Sequence, residues 1–147
     1  MADAVQQWAS ERVHQCYWQD DWNCARTQLV LQCEAAQMPL PTLWAEAMAG
    51  LHGAGGYGAQ CGLVEGMLVF LGLQGALSKE SAEEISACCR NFASAFEAQF
   101  GSLLCRQLRP QGFPKDGPLH ACEALTTQAI AFSRQWLLAE KLQGKMD

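Results

Sequence analysis

The chain has 147 residues, half of them apolar, and a formal net charge of −5. Those totals suit one folded domain with one core and exclude a disordered chain. With no Lys/Arg cluster to follow a phosphate backbone, they also disfavour nucleic-acid binding.

Apolar periodicity and cap residues predict helices throughout. Val5, Trp8, Ala9, Val13, Cys16 and Tyr17 recur at three- and four-residue steps, giving a first helix over Asp3–Gln19. Asp20 and Asp21 break it. Asn23 is a good N-cap for a second helix over Cys24–Gln37, and Met38-Pro39 ends that one. Pro41 suits the first turn of a third helix over Thr42–Ala49. A glycine-rich loop, Gly50 to Gly58, precedes a fourth helix that starts near Ala59, carries Cys61 and reaches Leu73, with Gly75 marking its end. This is the most apolar stretch. It is too short for a membrane span and reads as a central buried helix.

Ser78 is the expected cap of the fifth helix, whose inner stripe is Ile85, Cys88, Cys89, Phe92, Phe96 and Phe100. Gly101 is its expected C-cap, and Ser102 restarts a short helix through Leu108. Arg109–Gly117 reads as a loop, and Pro118 opens a last helix to about Leu142. No segment alternates with period two over a strand's length. The fold expected is all-α: a compact antiparallel bundle of about six helices around a central buried helix, one domain over residues 1–147.

Cysteine is the anomaly, with eight residues. The segment Met1–Trp8 has neither the basic nor the apolar region of a signal peptide, so a reducing cytoplasm is expected, with thiols free, transiently paired or metal-bound. Cys16, Cys33, Cys88 and Cys89 lie on apolar helix faces and read as small buried hydrophobes. Cys24, Cys61, Cys105 and Cys122 instead each fall near an inferred helix start. There the unpaired N–H groups and the helix dipole favour a thiolate, the metal-binding and reactive form.

Other motifs carry less. Gly53-x-Gly55-x-x-Gly58 matches the dinucleotide fingerprint in letters, but a helix precedes it where the fingerprint needs a strand, so no nucleotide is expected. There is no Cys-x-x-Cys-His, so no c-type haem is expected. His52 and His120 lie near Cys61 and Cys122, and the plainer reading of each is a surface histidine. Glu65, one turn beyond Cys61, is a candidate proton acceptor. The five tryptophans read as core and edge packing.

Asn23-Cys24-Ala25, the glycine loop leading to Cys61-Gly62-Leu63-Val64-Glu65-Gly66, the run Phe100-Gly101-Ser102-Leu103-Leu104-Cys105-Arg106, and Cys122 together resemble the C_GCAxxG_C_C family of redox-active proteins. The resemblance runs from about residue 20 to about 130. It implies four functional cysteines, here Cys24, Cys61, Cys105 and Cys122. Leu63 departs from it, since the family usually has Ala there.

Three functions compete. In the first, the four cysteines hold an iron–sulfur centre, [2Fe–2S] by preference, or another metal, and serve electron transfer. In the second, a metal-free thiol/disulfide oxidoreductase uses Cys61 as the reactive thiol and another cysteine to resolve the intermediate. In the third, the bundle is structural and its cysteines incidental. The expected partner is a redox protein, with no nucleic acid and no membrane, and a homodimer is the assembly to test.

Overall fold

The computed structural model describes residues 2–109 and 122–146. Its helices are α1 (Ala2–Trp18), α2 (Cys24–Ala35), α3 (Thr42–Glu46), α4 (Gly62–Leu77), α5 (Ala82–Phe100), α6 (Cys105–Leu108) and α7 (Glu123–Met146). A 3₁₀ turn, Ala47–Gly50, extends α3. Among the described residues there is no strand. An isolated antiparallel bridge joins Gln60 to Leu104. The protein is an all-α bundle, and no described helix is long and apolar enough to cross a membrane.

The main core lies between α2, α4, α5 and α7. Phe70, Phe92, Phe96, Leu29, Leu63 and Met67 are fully enclosed there. Each large side chain so buried contributes on the order of 2 kcal/mol. Aromatic contacts extend the core outward, with Phe92 edge-on to Trp136 at 5.2 Å and Phe100 edge-on to Phe132 at 5.5 Å. A second cluster seats α1: Ala9, Val13, Cys16 and Tyr17 pack against Leu31, Ile130 and Ala131. Between α2 and α7 runs a buried polar ladder. Gln28 Nε2 donates to the Leu63 carbonyl (2.9 Å) and to Ser133 Oγ (3.0 Å), and Gln32 Nε2 donates to Gln28 Oε1 (3.0 Å). Buried amides tolerate such a place only when bonded, so the ladder fixes the register of the two helices.

Several boundaries differ from expectation, each for a local reason. The fifth helix is capped by Ser81, not Ser78. Ser81 Oγ accepts from Glu84 N while the Glu84 carboxylate accepts from Ser81 N, a reciprocal box that Ser78 lacks the partner to form. Ser78 instead ends α4, which runs past Gly75 to Leu77. Gly75 lies inside the helix at a point where Ile85 leaves no room for a side chain: a Cβ there would lie 2.5 Å from Ile85 Cγ1. The expected third helix loses its α pitch after Glu46 and tightens to 3₁₀. The short helix after Gly101 begins at Cys105 rather than Ser102, because Ser102 Oγ accepts from Leu104 N and holds an extended step first. Trp18 and Trp44 are about half exposed, unlike the packing role expected of them. The expected loop over 110–117, the helix start at Pro118 and His120 lie outside the described residues.

Candidate functional site

Four loop-to-helix junctions meet in the fold, and each carries a cysteine. Cys24 is the first residue of α2. Cys61 is the N-cap of α4, in extended conformation, rather than a residue inside that helix as the sequence suggested. Cys105 opens α6. Cys122 immediately precedes α7.

The backbone explains how these junctions come together. Asn23 caps α2 by accepting from Arg26 N at 2.8 Å. Its Nδ2 also donates to the carbonyls of Met48 and Ala49, which ties the Cys24 junction to the turn before the glycine loop. In that loop Gly53, Ala54, Gly55 and Gly56 all have positive φ. Gly53 has no room for a side chain either: a Cβ would lie 3.0 Å from Cys105 Cβ and 3.2 Å from its Sγ. The Gln60–Leu104 bridge then joins the next two junctions. Cys61 N donates to Leu103 O and Cys105 N donates to Ala59 O, both at 2.8 Å. Arg106 Nε adds a bond to Gly58 O at 2.9 Å.

Helices α2 and α4 approach most closely at two glycines one turn apart. A Cβ on Gly62 would lie 2.4 Å from Cys24 Sγ and 2.9 Å from Ala25 N. A Cβ on Gly66 would lie 2.4 Å from Ala25 O. The absence of both side chains lets the start of α4 lie directly on the start of α2.

Cys24 has the other three thiols as electrostatic neighbours. Burial pushes the Cys24 thiol well above its ordinary range, and the neighbouring Cys61, Cys105 and Cys122 push it further. Burial raises Cys61 to about 12, with Cys105 and Cys122 adding to the effect. Cys105 and Cys122 are also raised by burial, and Arg109 opposes the shift in both, through a hydrogen bond as well as its charge at Cys122. No two of the eight cysteines are joined by a disulfide.

The expectation that helix starts would favour thiolates is therefore corrected. The effect is present: the N–H groups of Leu63 and Val64 lower Cys61, and that of Ala25 lowers Cys24. Desolvation exceeds it, because a thiolate removed from water needs more than a few partial charges in return. Among the described residues, no group of three or more His, Cys, Asp or Glu side chains could hold a single metal ion.

Burial also holds Cys16 and Cys33, away from this site, at about 11 each. Unfolded thiols titrate near 8.5. Between that value and 11–12 the native state keeps protons that the unfolded state has released, so rising pH favours unfolding. Stability of the metal-free protein is expected to be flat below about pH 8 and to fall between about pH 9 and 11. Urea unfolding at pH 7, 9 and 10 measures it, and equal midpoints at all three would contradict the burial of these thiols.

The remaining candidates are placed as follows. Glu65 accepts a hydrogen bond from Gln60 Nε2 at 2.7 Å, so its carboxylate is engaged beside the Gln60–Leu104 bridge. His52 is half-buried at the entrance to the glycine turn. Leu63 is enclosed in the main core. Cys88 and Cys89 are half-buried against that core, as expected of packing residues.

Three participants were not legible as such. Asn23 was visible as a cap but not as a clamp on the neighbouring carbonyls. Arg109 carries no local signal. Nor does Tyr17, whose hydroxyl is raised by burial and then by Cys24, Cys122 and Cys61, and is hydrogen-bonded to Thr126.

A family model described as "Putative redox-active protein (C_GCAxxG_C_C)" matches residues 22–136, a span that holds all four thiols and leaves out α1. No curated protein and no solved structure matches the chain.

Proposed function

Because the chain belongs to the C_GCAxxG_C_C family, we propose that Cys24, Cys61, Cys105 and Cys122 form a redox centre that holds an iron–sulfur cluster, [2Fe–2S] by preference, and exchanges electrons with a partner protein. The observation that carries this reading is the convergence of cysteine-bearing helix starts, the Cys61 and Cys105 junctions bridged by backbone hydrogen bonds and Gly62 packed against Cys24 Sγ.

The donor set fits such a group chemically. Four neighbouring thiols, two buried and two half-buried, ionise together only if positive charge offsets their repulsion and desolvation, and among the described residues Arg109 acts on Cys105 and Cys122. A metal centre supplies that charge and releases the thiol protons as it binds. A [2Fe–2S] cluster takes four thiolates, the number these junctions supply. When bound, the cluster supplies one-electron chemistry. The chain's own part is to enclose it, with Cys61 and Cys105 buried, and to place Arg109 against the negative side of Cys122.

The metal-free reading with Cys61 as nucleophile has less support. A thiol held at about 12 is ionised at neutral pH only on the order of once in 10⁵ molecules, whereas exchange needs the thiolate.

Purification without oxygen, followed by iron and sulfide reconstitution, tests the proposal. About two iron and two sulfide per chain, with a brown colour and a paramagnetic signal on reduction, are expected of a [2Fe–2S] protein. A colourless protein that retains no iron after reconstitution would sink the reading.

A further inference from the structure

Helix α1 lies outside the residues that the family model matches, yet its last turns grip the start of α7. Trp18 Nε1 donates to Glu123 Oε1 at 2.7 Å, and His14 Nδ1 lies 3.1 Å from the same oxygen. Glu123 directly follows Cys122 in the chain. Further along α7, Thr126 is fully buried and hydrogen-bonded to the Tyr17 hydroxyl. Burial does not account for Trp18, which is 58% exposed. Its indole N–H does, because a carboxylate accepts more strongly than a neutral group.

The other side of this clasp is fixed as well. Trp22 N donates to Cys16 O at 3.0 Å and Asp20 N to Gln15 O at 3.2 Å, so the segment from Trp18 to the Asn23 cap is folded back on the end of α1. The clasp therefore joins the chain that leads into Cys24 to the residue that follows Cys122. The Asn23 amide and the Gln60–Leu104 bridge make the corresponding ties at Cys24, Cys61 and Cys105.

We infer that Trp18 and His14 are positioning residues for the cysteine site: through Glu123 they hold the start of α7, and Cys122 with it, against the Cys24 junction. This rests on the reading above that Cys122 belongs to the site. Cys122 is half-buried with the clasp made. With it broken, the first turn of α7 frays, as helix ends with unpaired N–H groups do, and the thiol opens to water.

The test is alkylation of the native, metal-free protein by iodoacetamide, with the rate at each cysteine read by mass spectrometry. Cys33, 2% exposed in the main core, reports opening of the whole fold. Trp18→Phe removes the donor and keeps an aromatic ring. It should speed the reaction at Cys122 about fivefold, the effect of one net hydrogen bond, and leave Cys33 at its wild-type rate. Glu123→Ala should act at least as strongly, whereas Glu123→Gln, which keeps the acceptor, should return Cys122 most of the way to the wild-type rate. Val13→Ala, in the core beneath α1, should lower stability with no selective rise at Cys122.

An unchanged Cys122 rate in Trp18→Phe and Glu123→Ala, an equal rise at Cys33, or a Glu123→Gln protein as fast as Glu123→Ala would overturn the role of the clasp. Iron uptake by the wild type decides the cluster reading separately. A protein that takes up no iron but shows the selective rise at Cys122 keeps the clasp and loses the cluster.

Discussion

Cys61→Ser is expected to abolish iron retention while leaving the helical fold intact. Cys61 is 4% exposed, caps α4, and is coupled to Cys105 and Cys122. Serine has nearly the same shape and is itself a favoured N-cap, so α4 should start at the same residue. The hydroxyl is a poor ligand for iron, however, and does not ionise at neutral pH. Removing groups that merely support a metal site costs about 10–100-fold in affinity, and loss of a ligand should exceed that. The comparison is Cys88→Ala, which should cost on the order of 1 kcal/mol and leave iron uptake unchanged, because that thiol packs against the core. Iron per chain and circular dichroism, measured on both variants, decide the matter. A Cys61→Ser protein that binds iron like the wild type would remove Cys61 from the centre, and a Cys88→Ala protein that loses iron would bring Cys88 into it.

The second large effect is expected at the glycines between α2 and α4. In Gly66→Ala the new Cβ would fall 2.4 Å from the Ala25 carbonyl and 2.9 Å from Gln28 Cβ. Backbone cannot yield as a flexible side chain can, so the two helices must separate. A cost of about 3 kcal/mol is expected, the upper end for overpacking, because the buried Gln28–Leu63 bond is strained by the same displacement. Gly62→Ala should be at least as costly and should also displace Cys24, whose sulfur lies 2.4 Å from the added carbon. In Gly72→Ala nothing lies within 4 Å of the added carbon. That substitution in a helix interior should stabilise by roughly 0.5–1 kcal/mol. Urea unfolding of the three variants, then iron uptake, separates these outcomes. Equal stability of Gly66→Ala and Gly72→Ala would mean that α2 and α4 do not approach as described.

The sequence by itself determined the helices and the kind of chemistry. Periodic apolar faces located α1, α2, α4, α5 and α7, because amphipathic patterning is a local property read over a few turns. Asn23 announced the start of α2 and Gly101 the end of α5, because a cap acts within its own turn. Cys24, Cys61, Cys105 and Cys122 stood out because each follows a break in the pattern, and each does stand at a helix start.

Only the tertiary structure decided what those positions mean. Whether a helix start makes a thiolate depends on how much water is left around it. At Cys61 desolvation outweighs two N–H groups, a balance set by segments distant in the chain. The bridge that joins Cys61 to Cys105 spans more than forty residues and has no strand pattern to announce it. Gly62 and Gly66 were legible as small residues, but their purpose appears only when α2 is laid across them. Tyr17 read as one more apolar position on α1. Its hydrogen bond to Thr126 follows from the packing of α1 on α7, a contact between the two ends of the chain that no local pattern encodes.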